Sequence, residues 1–202
     1  MTDLKKKRIK AVMKYTWPFY IIAVVIVVFA MNFIFGLTHK IPGYKTLTFF
    51  ISGKVTNRDK LEKDLKEKFA DKDLRYISCI DVEYSHSMFN SKLSITGYTS
   101  ADILIIPKEK LDSVNVDAFG LELEEGLIES YYSSNELYTQ NHIKYGVKID
   151  EDKVKDYMDL STTDCYMTLN GKSQNLGEYS LKNTSKDHNM ALTIVKDWGK
   201  NV

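Results

Sequence analysis

Cysteine and histidine are scarce: two and four, respectively, among 202 residues. His39, His86, His142 and His188 stand far apart, with no His-x-x-x-His or Cys-x-x-Cys spacing, so no metal site and no cofactor is expected. Cys79 and Cys165 each lie inside an apolar, strand-like run, where a buried free thiol and a disulfide are both open. Gly-x-Ser-x-Gly, P-loop and His-Glu-x-x-His sequences are also missing, so no enzymatic activity is expected. No repeat or low-complexity tract appears. The most informative absence is local: residues 15–37 carry no charged side chain at all.

Those 23 residues, wound at 1.5 Å per residue, reach across a hydrocarbon core of roughly 30 Å. Lys5, Lys6, Lys7, Arg8, Lys10 and Lys14 precede them against the single Asp3. By the positive-inside rule the N-terminus stays in the cytoplasm and the remainder is exported. Tyr15, Trp17 and Tyr20 fall where interfacial aromatics belong. A cleaved signal peptide is the competing reading, but the apolar run exceeds the usual h-region, and Ala30-Met31-Asn32-Phe33 makes a poor small-x-small cleavage site. The expected organisation is a basic cytoplasmic segment (1–14), a transmembrane helix (15–37), a stalk (38–45) and an extracytoplasmic domain (46–202).

Charge then separates along the chain. Six of the 28 basic and one of the 27 acidic residues precede the apolar run, leaving 22 basic and 26 acidic residues after it, a net charge of −4. A mildly acidic domain with no block of like charge lacks the electrostatic footprint that phosphate backbones require, so nucleic acid is excluded as a partner. The 165 residues after Leu37 suffice for one domain with a core of its own.

Along that domain, 46–52 is a β-rich apolar run. A capping pattern at 56–59 then opens a helix with Leu61, Leu65 and Phe69 on one face and the pairs Glu62/Lys66 and Asp64/Lys68 on the other. Residues 75–84 read as a second strand, 97–100 as a turn, and 101–107 as a third strand buried on both faces. Strand, helix, strand, helix, strand predicts an α/β fold: one three-layer lobe with a mainly parallel sheet, whose first three strands take the order 2-1-3. β character returns at 141–149, Asp150 caps a helix holding Val154, Tyr157 and Met158, and 164–169 is a further strand ending at the turn Asn170-Gly171. Residues 171–187 form a long polar loop. In 187–200, Met190, Ala191, Ile194, Val195 and Trp198 share a helical face.

Together, Ser100-Ala-Asp-Ile-Leu-Ile-Ile-Pro107, Ala118-Phe-Gly-Leu121 and Tyr145-Gly-Val-Lys-Ile-Asp150 resemble segments of the extracellular solute-binding proteins of bacterial transporters. The resemblance covers about residues 46–170 and implies a type 2 periplasmic-binding-like α/β lobe. It differs from that family in having length for one lobe where a typical member has two with a ligand cleft between them. It also retains its helix in place of a lipid-modified cysteine or cleaved signal. The chain is closer to membrane-anchored proteins of Gram-positive bacteria than to a working transport receptor.

In open α/β sheets ligands sit beyond the carboxyl ends of the strands. That edge is expected to gather Ser52, Gly53, Thr56 and Asn57 after the first strand, Tyr84, Ser85 and His86 after the second, and Lys108 after the third. Lys172 and Ser173 are the candidates in the late loop. A small polar ligand suits these groups, though Thr56 and Asn57 also read as helix caps and His86 as a solvated loop residue. The expected function is a single-pass, membrane-anchored extracytoplasmic binding or interaction module, an accessory subunit of a transporter or envelope complex, with a membrane protein as partner. The alternatives are a structural envelope-assembly protein and, less favoured, an envelope hydrolase.

Overall fold

The computed structural model describes residues 3–38, 41–182 and 185–201. Two compact units result, Met1–Ile41 and Pro42–Val202. His39 and part of the expected stalk lie outside the described residues.

The first unit is one long helix, α1 (Asp3–Thr38). Its segment Lys14–Phe35 has a mean hydropathy of 2.5 and none of it is buried, so among the described residues this is the one helix long and apolar enough to cross a membrane. Its β-branched residues, Val24 to Val28 and Ile21, Ile22 and Ile26 among them, would be modest helix formers in water. In hydrocarbon the helix is enforced because every backbone polar group must be satisfied within the segment.

The second unit is α/β. In chain order its elements are β1 (Thr46–Ile51), β2 (Gly53–Val55), α2 (Arg58–Lys68), β3 (Tyr76–Asp81), α3 (Phe89–Lys92), α4 (Tyr98–Ser100), β4 (Ile103–Pro107) and α5 (Lys108–Ser113). There follow α6 (Glu125–Leu127), β5 (Leu137–Gln140), β6 (Ile143–Lys148), α7 (Glu151–Val154), β7 (Met158–Leu160), β8 (Cys165–Leu169) and α8 (Met190–Trp198). Six strands form one sheet in the order β3-β1-β4-β8-β6-β5, and β2 and β7 form a separate antiparallel ribbon.

The sheet is mixed, not mainly parallel. β3, β1 and β4 run parallel, while β4 with β8, β8 with β6 and β6 with β5 are antiparallel. One of the antiparallel pairs arises from a short connection that alternation alone does not reveal: Asn141 and His142 both have positive φ, 52° and 68°, and form a two-residue hairpin turn between β5 and β6. Residues read as one run from 141 are thus a turn followed by a strand. Two further segments differ from expectation. Met158 begins β7 instead of closing a helix, because α7 ends after one turn at Val154. Residues 97–100 are helical, reached from α3 through a π-turn over Leu93–Gly97.

Alternation along the strands divides the core between the two sheet faces. Leu47, Phe49, Ile51, Ile103 and Ile105 join one cluster with Leu61, Leu65 and Phe69, and with Ile194, Val195 and Trp198 of α8. Phe50, Leu104 and Ile106 join the other with Phe89, Leu93, Leu111 and Phe119. Each such side chain, fully buried, contributes roughly 1.5 to 3 kcal/mol. On the wet side of α2, Lys66 pairs with Glu62 at 2.6 Å, but Asp64 and Lys68 do not pair with each other. Asp64 accepts the Tyr157 hydroxyl at 2.9 Å, and Lys68 pairs with Asp197 of α8.

Cys79 and Cys165 are free and buried. They lie in β3 and β8, with β1 and β4 between them. Three strand spacings of about 4.8 Å put them about 14 Å apart across the sheet alone. A disulfide, which needs Cα atoms within about 7 Å, is excluded.

Candidate functional site at the carboxyl edge

At the carboxyl end of β1 the chain does not run on into α2. Ser52 donates its N–H to Ile105 O at 2.8 Å, which still belongs to the sheet, and the next residue turns away. That residue is Gly53, with φ +153°. Its own N–H reaches Val82 O at 3.2 Å, fastening the turn to the end of β3. From there β2 pairs with β7, and Ser161, just after β7, donates its N–H to Ser52 O at 3.1 Å. Three chain segments leaving β1, β3 and β7 therefore surround a cavity of about 330 Å³.

Its lining is polar: Gly53 and Lys54, then Glu83, Tyr84 and Ser85, then Asp159, Leu160 and Ser161. Lys54, Glu83 and Asp159 have no ion-pair partner among the described residues. The Ser161 hydroxyl is buried and has no hydrogen-bond partner among the described residues, and the same is true of Ser52. Nearby Asp81 is already engaged, accepting Val55 N–H at 3.3 Å and facing Arg58 at 3.5 Å. The cavity offers charge of both signs, a phenol and an unpaired hydroxyl, a set that binds by hydrogen bonds and charge.

No family model matches this chain, nor does any curated protein or solved structure. What the domain does must therefore be argued from its own geometry.

Of the residues expected at this edge, Gly53 and Tyr84 line the cavity, as does Ser85. Ser52 lies beneath it, fully buried. Thr56 and Asn57 sit at the start of α2, where their N–H groups donate to Tyr157 O at 2.9 and 3.1 Å and Asn57 Oδ1 caps Lys60 N–H at 3.1 Å. They serve the helix start and do not line the cavity. His86 is exposed in the turn after β3, its Nδ1 accepting Met88 N–H at 3.1 Å. Lys108 is exposed at the start of α5, and its N–H donates to Asp164 O at 2.9 Å.

Lys172 and Ser173 lie at the opposite edge, beside Thr46 and Thr48 at the start of β1. The reason is the direction of β8: antiparallel to β4, it delivers its following loop to the edge where β4 begins. The same reversal brings Ser161, upstream of β8, to the carboxyl edge. Asp159 and Ser161 follow directly on Met158, which sequence periodicity assigns to the helix capped by Asp150. A three-residue strand such as β7 leaves too short a pattern to separate from it.

Proposed function

We propose that this protein is a single-pass, membrane-anchored module whose α/β domain lies outside the cytoplasm and binds a small polar ligand in the cavity at the carboxyl edge of its sheet. The N-terminus is cytoplasmic, as six basic residues before the apolar run favour. The observation that carries the binding reading is the cavity itself: about 330 Å³ framed by the ends of β1 and β3, with Lys54, Glu83 and Asp159 left without ion-pair partners among the described residues. Exposed charges that do not pair with one another are free to pair with a ligand.

A domain tied to a membrane helix meets ligands and partners only close to the bilayer. The resemblance to a single solute-binding lobe supports an accessory role beside a transporter or envelope complex, with a membrane protein as the partner.

Two measurements test the reading. Protease treatment of intact cells should digest the domain while a cytoplasmic control survives, and protection of the domain would overturn the orientation. Thermal-shift screening of the detergent-solubilised chain against ions, sugars, amino acids and short peptides should give a stabilising ligand. Its effect should be lost in Asp159→Asn and Lys54→Gln. Absence of any ligand, with no membrane protein co-purifying, would defeat the proposal.

A further inference from the structure

The opposite edge of the sheet holds a second cavity, of about 160 Å³, which owes nothing to the first. Its walls are hydroxyl-rich, with Thr46 and Thr48 from β1 and Thr99 and Ser100 from the end of α4. Asp102, also on its wall, is the residue preceding β4 and is only 8% exposed. Lys172 and Lys182, both exposed, stand at its rim.

The charges here are unusual in being unspent. Asp102 has no ion-pair partner among the described residues. Its Oδ1 accepts the Ser173 hydroxyl and Asn175 Nδ2, the latter at 3.2 Å, and its Oδ2 accepts only Thr48 N–H, at 2.7 Å. A carboxylate oxygen has two lone pairs, so Oδ2 retains an acceptor position. Three neutral donors offset part of the desolvation of a buried carboxylate, but they supply no positive charge. Burial accordingly pushes its pKa up to about 6, and the field of Lys182 opposes that rise in part. Lys172 and Lys182 make no ion pair of their own among the described residues.

A buried negative group and two unpaired cations around one small cavity are complementary to a ligand that carries both signs. We propose that this cavity binds a small zwitterion, its primary ammonium group meeting Asp102 and the Thr48 side, and its anionic group meeting Lys182 and Lys172. The volume holds about five water-sized portions of roughly 30 Å³ each, which is the scale of glycine, alanine or serine. The same ammonium-plus-anion chemistry occurs in the phosphoethanolamine headgroup, which the test separates from free amino acids.

The test is calorimetric titration of the full chain in detergent micelles at pH 7.5 with glycine, alanine, serine and phosphoethanolamine, beside methylamine and acetate as half-ligands. One zwitterion should bind with one-to-one stoichiometry, and neither half-ligand should match it. Preference for amino acids or for phosphoethanolamine identifies the source. Binding should weaken about tenfold at pH 5, where most of Asp102 is neutral. Asp102→Asn should abolish it. Should that variant fail to fold, the double variant Lys172→Gln/Lys182→Gln, altering only exposed side chains, should weaken binding severalfold with an unchanged melting temperature. No heat from any zwitterion at millimolar concentration overturns the proposal, as does binding that the lysine variant leaves intact or that a half-ligand reproduces.

Discussion

Thr48 donates its backbone N–H to Asp102 Oδ2 at 2.7 Å, so a side chain ahead of β4 finishes the ladder at the start of β1. Asp102 N–H in turn donates to Thr48 O at 2.8 Å. The carboxylate thus holds two parallel strands and, through Ser173 and Asn175, the late loop; Asn175 Nδ2 also reaches Thr46 O at 2.7 Å. These bonds pull its pKa down, but burial outweighs them and leaves it near 6 against an ordinary 3.8. In the native state Asp102 therefore takes up its proton at higher pH than in the unfolded chain.

The stability consequence has a definite sign. Between about pH 6 and 3.8 the native state binds more protons than the unfolded state at this position, so this group's contribution to stability grows as pH falls. It is fully present below 3.8 and lost as pH rises through 6. Two units at about 1.4 kcal/mol each make it on the order of 3 kcal/mol. Other carboxylates act oppositely: Asp73, held down to about 2 by Arg75 and Lys45, loses its contribution in acid. The informative quantity is the difference between wild type and Asp102→Asn in urea unfolding from pH 7.5 to 4. That difference should move in favour of the wild type as pH falls, and a flat difference would refute the assignment.

Gly53 permits the turn that opens the carboxyl-edge cavity. A Cβ there would lie 2.3 Å from Asp159 O and 3.0 Å from Leu160 Cα, both backbone atoms of the facing strand β7. Neither can move without breaking the β2–β7 pairing, and φ of +153° is itself strained for any other residue. Gly53→Ala should cost about 3 kcal/mol or more in chemical denaturation and abolish ligand effects at that cavity. Unchanged stability would mean that the turn is not as described.

The two thiols should behave as inert core groups. Burial pushes Cys79 up to about 11 and raises Cys165 as well. Thiolates are the reactive form, so modification by a disulfide reagent should be slow in the native protein and reach two thiols per chain after denaturation. A reducing agent should leave the melting temperature unchanged. Loss of stability on reduction would establish a bond that the sheet order forbids.

Legibility in the sequence followed element length. The apolar run at 15–37, the strands around 46–52 and 101–107 and the helical face of Met190, Ile194 and Trp198 are long or strongly periodic, and each is an element of its type in the structure. What escaped was built from two- and three-residue devices: the Asn141-His142 turn, β2, and β7. The turn sets the β5–β6 pairing, and the ribbon of β2 with β7 brings Asp159 and Ser161 to the carboxyl edge. Gly53 and Tyr84 were therefore legible as cavity residues from their places after the first two strands, while Asp159, Ser161 and the position of Lys172 were not.

Whether the domain needs its helix can be decided by cutting between the two units. Both apolar clusters draw only on residues 47–198, from Leu47 to Trp198, and α1 supplies none of them. Phe49, wholly buried, stacks on Trp198 at 5.5 Å, so the first strand and the last helix of the domain close its core together. A chain of residues 42–202 keeps every one of these contacts. It should be soluble, unfold in one cooperative transition, and melt within a few degrees of the full chain in detergent. In the same fragment Phe49→Ala should remove about 3 to 5 kcal/mol, since nothing nearby can refill the space against Trp198. A fragment that lacks near-ultraviolet dichroism or precipitates would show that the helix contributes to folding, and would remove the basis for treating the domain as an independent binding module.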